Sequence, residues 1–192
     1  MKIKGPEDSW ARKINRWNTT FQLAVPYIKP NGNGVDVGAR EGGFAREMEN
    51  YFNHIYCYDF RSDHKKFVKE NVNDINKFTY TVVGIGEKNE KTFTSSTKVG
   101  KIKNRGHVAV KIRTLDSFNL KNVTFIKYDI EGYELRAIQG SEQTIKKYNP
   151  VIVVEQNKGN LDSVDLLKSW GYELKGIDPF GHDYIMVAKL SA

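Results

Sequence analysis

One stretch of the chain combines glycines and a carboxylate in a way that suits ligand binding. A glycine turn, Gly38-Ala39-Arg40-Glu41-Gly42-Gly43, follows a short apolar run that contains Asp36. Glycine lets the backbone turn tightly and approach a ligand without a Cβ in the way. The helix expected next, over residues 44–51, would direct unpaired backbone N–H groups and a positive dipole end at the same place. The turn is therefore the first candidate binding element.

Asp36 indicates which kind of ligand the turn would hold. Its carboxylate would repel a pyrophosphate, whereas it would attract the ammonium group of an amino-acid moiety. The stretch also lacks the Gly-x-Gly-x-x-Gly pattern of dinucleotide-binding turns. These residues favour S-adenosylmethionine over NAD as the cofactor, and an NAD-dependent oxidoreductase is the disfavoured rival.

Polar residues recur where the apolar, strand-like runs of the chain end: Asp36, Asp59, Gly84, Asp129 and Glu155. In a parallel sheet the carboxyl ends of the strands meet at one edge, and ligands bind there. We therefore expect these residues to line one cleft. An acidic residue at the end of the second strand typically accepts the hydroxyls of a ribose, which favours that role for Asp59. A cap for the following helix is its structural alternative.

Two of these carboxylates are the main candidates for chemistry. Asp129 and Glu155 should face each other across the cleft, where one could act as a general base. Asp129 is also expected to touch the methyl donor or the substrate, and Glu131 flanks the same strand end. The alternative is a divalent cation held by the two carboxylates, with Glu131 or Asn157 completing its shell, although no metal is assigned. Among the histidines, only His107 is expected near the substrate.

Hydrophobic periodicity predicts the elements that would position these residues. Strand-like runs alternate with helical runs, and the strands are apolar on both faces. This predicts an α/β fold with a mostly parallel sheet flanked by helices. The last two strands, 172–177 and 184–188, lack a helix between them, so one should run antiparallel. Other predicted elements are a helix over 5–17, a second over 21–28 capped by Thr19 or Thr20, a strand over 78–85 with 91–94 pairing back, a loop over 95–106 and a long helix over 132–148.

Length and composition narrow the class of protein. The 192 residues are the size of one domain, and we expect an N-terminal helical extension over 1–30 that packs on a domain over 31–192. A single cysteine, Cys57, excludes a disulfide framework and a zinc cluster. Residues 1–16 contain no apolar run, so neither a secretory signal nor a membrane span is expected. A reducing cytoplasm is the expected location.

The net charge of +7 indicates an acidic partner. The densest basic run, 98–113, contains no acidic residue, and its candidate phosphate contacts are Lys98, Lys101, Lys103 and Arg105. The preferred interpretation is that this charge keeps the protein soluble and attracts a polyanionic or nucleotide-like ligand. The alternative is a nucleic-acid-binding protein or a nucleic-acid methyltransferase, whose binding should weaken steeply with salt.

Four segments resemble, in the right order, the FkbM family of S-adenosylmethionine-dependent methyltransferases. They are Val35-Asp36-Val37-Gly38-Ala39-Arg40-Glu41-Gly42, Leu115-Asp116-Ser117-Phe118, Phe125 to Glu134 and Pro150 to Glu155. The Lys-x-Asp-x-Glu-Gly-x-Glu pattern that begins at Lys127 is the most specific of them. The resemblance extends over about residues 34–174, which is most of the chain.

The resemblance implies a class I methyltransferase fold and O-methylation of a hydroxyl on a sugar or another small metabolite. It implies that the glycine turn holds the methionine end of S-adenosylmethionine, that the second strand holds the ribose and that the third flanks the adenine. The residues implied for the methionine end are Asp36, Gly38, Ala39, Arg40 and Gly42. Asp59 is implied for the ribose. Val83, Gly84 and a stacking Phe60 are implied for the adenine. The family often has Asn where Arg40 stands, and Glu-Pro where Asp59-Phe60 stands.

The expected partner is a small-molecule acceptor, for example a saccharide. The N-terminal helix and the loop over 95–106 are expected to shape its pocket. A non-catalytic module of the same fold is a further alternative, and the presence of Asp36, Asp59 and Asp129 argues against it.

Overall fold

The computed structural model describes residues 10–94, 108–156 and 160–189. The strands of these residues are β1 (Asn33–Val37), β2 (His54–Asp59), β3 (Phe78–Val82), β4 (Gly84–Ile85), β5 (Glu90–Thr94), β6 (Val108–Arg113), β7 (Val123–Tyr128), β8 (Val151–Glu155), β9 (Tyr172–Ile177) and β10 (Asp183–Ala188). The helices are α1 (Trp10–Ala24), α2 (Gly43–Met48), α3 (Lys65–Asn71), α4 (Glu134–Gln139), α5 (Glu142–Tyr148) and α6 (Asp162–Ser169).

A mostly parallel sheet with the strand order β3-β2-β1-β7-β8-β10-β9 forms the centre of the described chain. The strands from β3 to β8 in that order run parallel, and β10 is antiparallel to both β8 and β9. This confirms the predicted fold class and its antiparallel C-terminal strand. The chain builds outward from β1 in one direction and from β7 in the other. A crevice at the carboxyl ends of these two strands is therefore the expected ligand site.

Apolar side chains cover both faces of the sheet. In β8, Ile152 and Val154 belong to one buried cluster, whereas Val151 and Val153 belong to a second. The second cluster includes Phe21 of α1, whose ring makes an edge contact with that of Phe125 at a centroid distance of 5.5 Å. Because successive side chains of a strand point to opposite faces, the continuous apolar runs are explained by helices packing on both sides.

The predicted pair of N-terminal helices is wrong within the described residues. A single helix, α1, continues to Ala24, and a 3₁₀ turn, Val25–Tyr27, follows it. Thr20 does not cap a new helix, because it lies in the middle of α1. Its side chain is buried, and its hydroxyl donates a hydrogen bond to Asp183 Oδ2 at 3.0 Å. Tertiary packing against β10 thus overrides a local capping signal.

The predicted strand over 78–85 is two strands in two sheets. β3 ends at Val82 because its partner β2 ends at Asp59, and Val83 then donates a last backbone hydrogen bond to the Asp59 carbonyl at 2.9 Å. Gly84 and Ile85 instead pair with β6 in a smaller sheet with the order β4-β6-β5. The segment expected to pair back on this strand, β5, pairs with β6.

The predicted long helix over 132–148 is also divided, into α4 and α5. A side chain at Gly140 would overlap the backbone of Gly86, so the chain passes close to a neighbouring loop at the break. The carboxylate of Asp116 then accepts hydrogen bonds from the backbone N–H groups of Gln143 and Thr144, at 3.0 and 2.8 Å, and so caps the first turn of α5. A cap supplied by a distant side chain starts a new helix at this point.

The predicted loop over 95–106, with its basic residues, and His107 lie outside the described residues, as does Asn157. In the part of the chain that the structure describes, no helix has the length and apolar character needed to cross a bilayer.

Candidate active site at the carboxyl edge of the sheet

A cavity of about 290 Å³ opens at the carboxyl ends of the parallel strands, between the glycine turn and α1. Most of the site residues predicted from the sequence line it: Gly38, Ala39, Arg40, Asp59, Phe60, Val83, Gly84, Asp129, Glu131 and Glu155. Asp36 and Gly42 do not line it. The carboxyl ends of strands that are distant in the sequence thus meet at one edge, as expected for a parallel sheet.

The glycine turn forms one wall of the cavity and is held tightly to its neighbours. The N–H groups of Gly38 and Ala39 both donate to the carbonyl of Tyr58, at 2.8 and 3.1 Å, and Asp129 N–H donates to the Val37 carbonyl at 3.0 Å. Gly38 has a φ of +93°, and a Cβ there would overlap the carbonyl oxygen of Asp129. Only glycine fits this position, because both its backbone angle and its surroundings exclude a side chain.

Asp59 connects this turn to the end of β2. Its Oδ2 accepts the backbone N–H of Arg40 at 2.9 Å, and its Oδ1 accepts that of Arg61 at 2.8 Å. The two hydrogen bonds fix the carboxylate at the wall of the cavity. Because an ionised carboxylate oxygen can accept more than one hydrogen bond, each oxygen remains able to bind a ligand hydroxyl.

Asp36 lies beneath the cavity. Its side chain is fully buried, and burial raises its pKa to about 6, against the opposing effect of the Lys127 ammonium. The Nζ atom of Lys127 donates to Asp129 Oδ2 at 2.8 Å and lies 4.8 Å from the centroid of the Phe44 ring. Lys127 therefore supplies positive charge to two carboxylates, those of Asp36 and Asp129.

Asp129 and Glu155 have opposite protonation tendencies, although both are largely buried. Burial alone would raise the pKa of Asp129, but Lys127, a hydrogen bond with Glu155 and the Arg16 guanidinium together lower it below its ordinary value. The pKa of Glu155 is raised, first by burial and then by the negative charge of Asp129. The pair is therefore arranged to carry one proton, held mainly on Glu155.

Helix α1 covers this end of the cavity. The Arg16 guanidinium forms ion pairs with Glu155 at 3.3 Å, with Asp183 at 3.1 Å and with Asp178 at 3.4 Å. Next to it, the Trp17 ring lies so close to Gly43 that a Cβ on that glycine would overlap it. Both Arg16 and Trp17 line the cavity, so α1 is part of the site.

His64 is a further cavity residue, and it lies just before α3. Its ring is buried between the carboxylates of Asp59 and Glu41, at 3.6 and 3.5 Å. The sequence led us to expect only His107 among the histidines near the substrate, so His64 was missed, as was Arg16. The only sequence signal for Lys127 was its place in the Lys-x-Asp-x-Glu-Gly pattern. The other two are recruited by tertiary packing, which leaves no local pattern.

Within the described residues, no group of three or more His, Cys, Asp or Glu side chains could hold a metal ion. What the site offers is a glycine-walled cavity, an anchored carboxylate at one end and a singly protonated carboxylate pair at the other. Once Glu155 has released its proton to solvent, it can take a proton from a bound ligand while Asp129 stays ionised.

The Methyltransferase FkbM domain family matches residues 36–174 of the chain. No curated protein sequence matches it. Among solved structures, the chain is similar to Methyltransferase FkbM from Methylobacillus flagellatus KT, with a TM-score of 0.60 and 17% identity, over 92% of this chain and 58% of that one. The chain thus spans little more than half the length of that relative.

Two other solved structures share the fold over nearly their whole length. One is precorrin-6y C5,15-methyltransferase from Geobacter metallireducens GS-15, with a TM-score of 0.52 and 14% identity, over 97% of this chain and 98% of that one. The other is a protein from Streptococcus mutans in complex with S-adenosylhomocysteine, with a TM-score of 0.54 and 9% identity, over 98% and 100%. At such identities these likenesses show the fold alone.

Proposed function

The chain belongs to the FkbM methyltransferase family, and from this premise we propose that it transfers the methyl group of S-adenosylmethionine to a hydroxyl oxygen of a small molecule such as a saccharide. The Asp129–Glu155 pair at the end of the cavity is the observation that supports oxygen as the methyl acceptor. A hydroxyl must lose its proton as it attacks, and a carboxylate with a raised pKa is suited to accept it.

The residues around the turn fit this cofactor. Gly38 lines the cavity and has no Cβ, so its backbone can approach the methionine end there, with Ala39 and Arg40 next to it. We assign the ribose to Asp59, whose orientation is set by two backbone N–H groups. We assign the adenine to the part of the wall formed by Phe60, Val83 and Gly84.

Two residues in the proposal act from outside the cavity wall. Gly42, with a φ of +82°, allows the turn to enter α2, and a side chain there would press on Val68 of α3. Asp36 contributes negative charge beneath the methionine end, where an ammonium group would be attracted. Both therefore support the cofactor through the shape and the charge of the turn.

The cofactor supplies an electrophilic methyl group, and the chain's own residues supply position and proton removal. Glu155 takes the acceptor proton in this proposal, while Asp129 stays ionised next to Lys127. Glu131 is exposed at the mouth of the cavity and would contact the acceptor. Arg16 and Trp17 of α1 would enclose the acceptor from the opposite side.

Replacing Asp59 with alanine tests the cofactor assignment. We expect the Asp59→Ala variant to bind S-adenosylhomocysteine about 100-fold more weakly, because two charge-assisted hydrogen bonds of about 1.5 kcal/mol each are lost. Calorimetric titration of S-adenosylmethionine, S-adenosylhomocysteine and NAD into both proteins measures this. The matched control is Asp63→Ala, which removes an exposed carboxylate of the same loop that pairs with Arg61 and does not line the cavity. Binding of NAD alone would overturn the proposal.

Replacing Glu155 with glutamine tests the role of the general base. Release of S-adenosylhomocysteine is first measured with a panel of saccharides and hydroxylated metabolites, and with RNA as the nucleic-acid alternative. With an active acceptor, we expect Glu155→Gln to lower kcat about 100-fold. In the wild type, kcat should rise with pH through the raised pKa of Glu155, because the base must be deprotonated. An unchanged pH profile in the variant would assign the proton to another group.

A further inference from the structure

The side chain of Glu155 is held by a residue of α1. Nη2 of Arg16 donates a hydrogen bond to Oε1 of Glu155 at 3.3 Å, and both side chains line the cavity. The pairing of β8 with β10 places Glu155 opposite Asp183, but a strand pairing fixes only the backbone. The contact with Arg16, together with the hydrogen bond to Asp129, therefore restricts the direction in which the carboxyl group of Glu155 points.

Arg16 is itself held in place by two buried carboxylates that do not line the cavity. Oδ1 of Asp178 accepts the backbone N–H groups of His182 and Asp183, at 2.7 and 2.9 Å, and its Oδ2 lies 3.4 Å from Arg16 Nε. Oδ2 of Asp183 lies 3.1 Å from Arg16 Nη2 and also accepts the hydroxyl of Thr20 at 3.0 Å. The two aspartates are 3% and 2% exposed, so their attraction for the guanidinium is screened only weakly.

The shape of a guanidinium suits this set of contacts. Its nitrogens lie in one plane and donate in fixed directions, whereas the ammonium group of a lysine is a single point charge. Nη2 of Arg16 serves both Glu155 and Asp183, and Nε faces Asp178. The two aspartates supply the negative charge that compensates the partial burial of the guanidinium. Arg16 is thus fixed from the side away from the cavity and donates to Glu155 on the other.

A general base must direct an oxygen at the proton that it removes, and a small misplacement lowers the rate steeply. We propose that Arg16 is a positioning residue for the methyl transfer: held by Asp178 and Asp183, its guanidinium keeps the carboxyl group of Glu155 directed at the acceptor hydroxyl. The inference rests on the proposed function, because it takes Glu155 as the general base. None of the cofactor contacts assigned above involves Arg16. Its loss should therefore lower kcat and leave the affinity for S-adenosylhomocysteine unchanged.

The kinetic test compares Arg16→Ala with Thr20→Val on an acceptor found in the panel of saccharides and metabolites. Both changes remove a contact between α1 and Asp183, but only the first removes the guanidinium. We expect Arg16→Ala to lower kcat about 10-fold to 100-fold with little change in the affinity for S-adenosylhomocysteine, and Thr20→Val to keep most of the wild-type kcat. Because Arg16 lines the cavity, millimolar guanidinium chloride should restore part of kcat in Arg16→Ala, and sodium chloride at the same concentration should not.

A second measurement needs no acceptor. A positive charge next to a carboxylate favours its ionised form, so the loss of Arg16 should raise the pH at which Glu155 and Asp129 lose their shared proton. The other charges that face Glu155 are Lys127 of β7 and Asp183 of β10, and all variants contain them. NMR titration of protein with carbon-13-labelled glutamate, in which Glu155→Gln assigns the signal, should show an upward shift of about one pH unit in Arg16→Ala and none in Thr20→Val.

The outcomes separate the two proposals. A wild-type protein that does not bind S-adenosylhomocysteine overturns the proposed function, and this inference with it. Normal cofactor binding with an unchanged Glu155 titration in Arg16→Ala overturns the inference alone, and so does an equal loss of kcat in Arg16→Ala and Thr20→Val. A loss of cofactor affinity as large as the loss of kcat would also contradict it. If Arg16→Ala does not fold, Arg16→Gln takes its place in both measurements, because glutamine keeps part of the packing but neither the charge nor the three contacts.

Discussion

Replacing Gly38 with alanine should destabilise the fold by more than about 3 kcal/mol and abolish cofactor binding. The φ of +93° is unfavourable for any L-residue, and the new Cβ would overlap the carbonyl oxygen of Asp129. The backbone has little freedom to move away. Gly38 N–H is bonded to Tyr58 at 2.8 Å, and the Asp129 N–H is bonded to Val37 at 3.0 Å. Unfolding in urea, followed by titration with S-adenosylhomocysteine, measures both losses.

Gly132 provides the matched control for this substitution. Its φ of +101° is as unfavourable for alanine as that of Gly38, but a Cβ there meets nothing within 4 Å. Gly132→Ala should therefore cost only the backbone strain, about 1–2 kcal/mol. Equal losses in the two variants would show that the overlap with Asp129 is relieved without cost.

Replacing Lys127 with methionine is expected to have the second large effect. Lys127 is buried and donates a hydrogen bond to Asp129 at 2.8 Å. Its positive charge also opposes the rise that burial causes in the pKa of Asp36. Removal of one partner from a buried charge pair typically costs about 3–5 kcal/mol, because the other charge stays buried without compensation. Urea unfolding measures the loss. The control is Lys168→Met, which removes an exposed lysine paired with Asp165 at 3.4 Å and should change stability by less than about 1 kcal/mol.

The stability lost in Lys127→Met should depend on pH. In the wild type, the pKa of Asp129 is lowered on folding, so its contribution is present at neutral pH and is lost as the pH falls through that lowered value. Without Lys127, the effect of burial on Asp36 and Asp129 is opposed less strongly, and their pKa values should rise. A group with a raised pKa loses its contribution as the pH rises through that value. The deficit of the variant should therefore be larger at about pH 8 than at about pH 5, and a deficit equal at both would contradict this account.

The sequence was sufficient to predict a mostly parallel sheet and the edge at which the candidate site lies. Continuous apolar runs that end in Asp59, Asp129 and Glu155 identify buried parallel strands and their carboxyl ends, since both follow from one local pattern. The family motif identifies the glycine turn. The structure also accounts for the departure at Arg40, which has a φ of +47°. Asparagine adopts this left-handed conformation more readily than arginine does, which explains why the family often has Asn there.

The errors and omissions share one physical cause, which is contact with residues distant in the sequence. The helix over 132–148 has helical periodicity throughout, and it breaks because Gly140 packs on Gly86 and Asp116 caps α5. Thr20 is a good capping residue that instead bonds to Asp183. Arg16 and His64 join the site through carboxylates of other elements. Local propensity does not encode such partners.

The hydrogen bond between Thr20 and Asp183 has a consequence for the order in which the site assembles. Its two residues are 163 positions apart, and the ion pair of Arg16 with Glu155 spans 139. Closing loops of such length costs chain entropy that only the finished sheet can offset. During synthesis on the ribosome, α1 can pack on the nearby α2, against Phe44 and Gly43, long before its contacts with Glu155 and Asp183 become possible. The Arg16 side of the cavity is therefore completed only after β8 and β10 have been made.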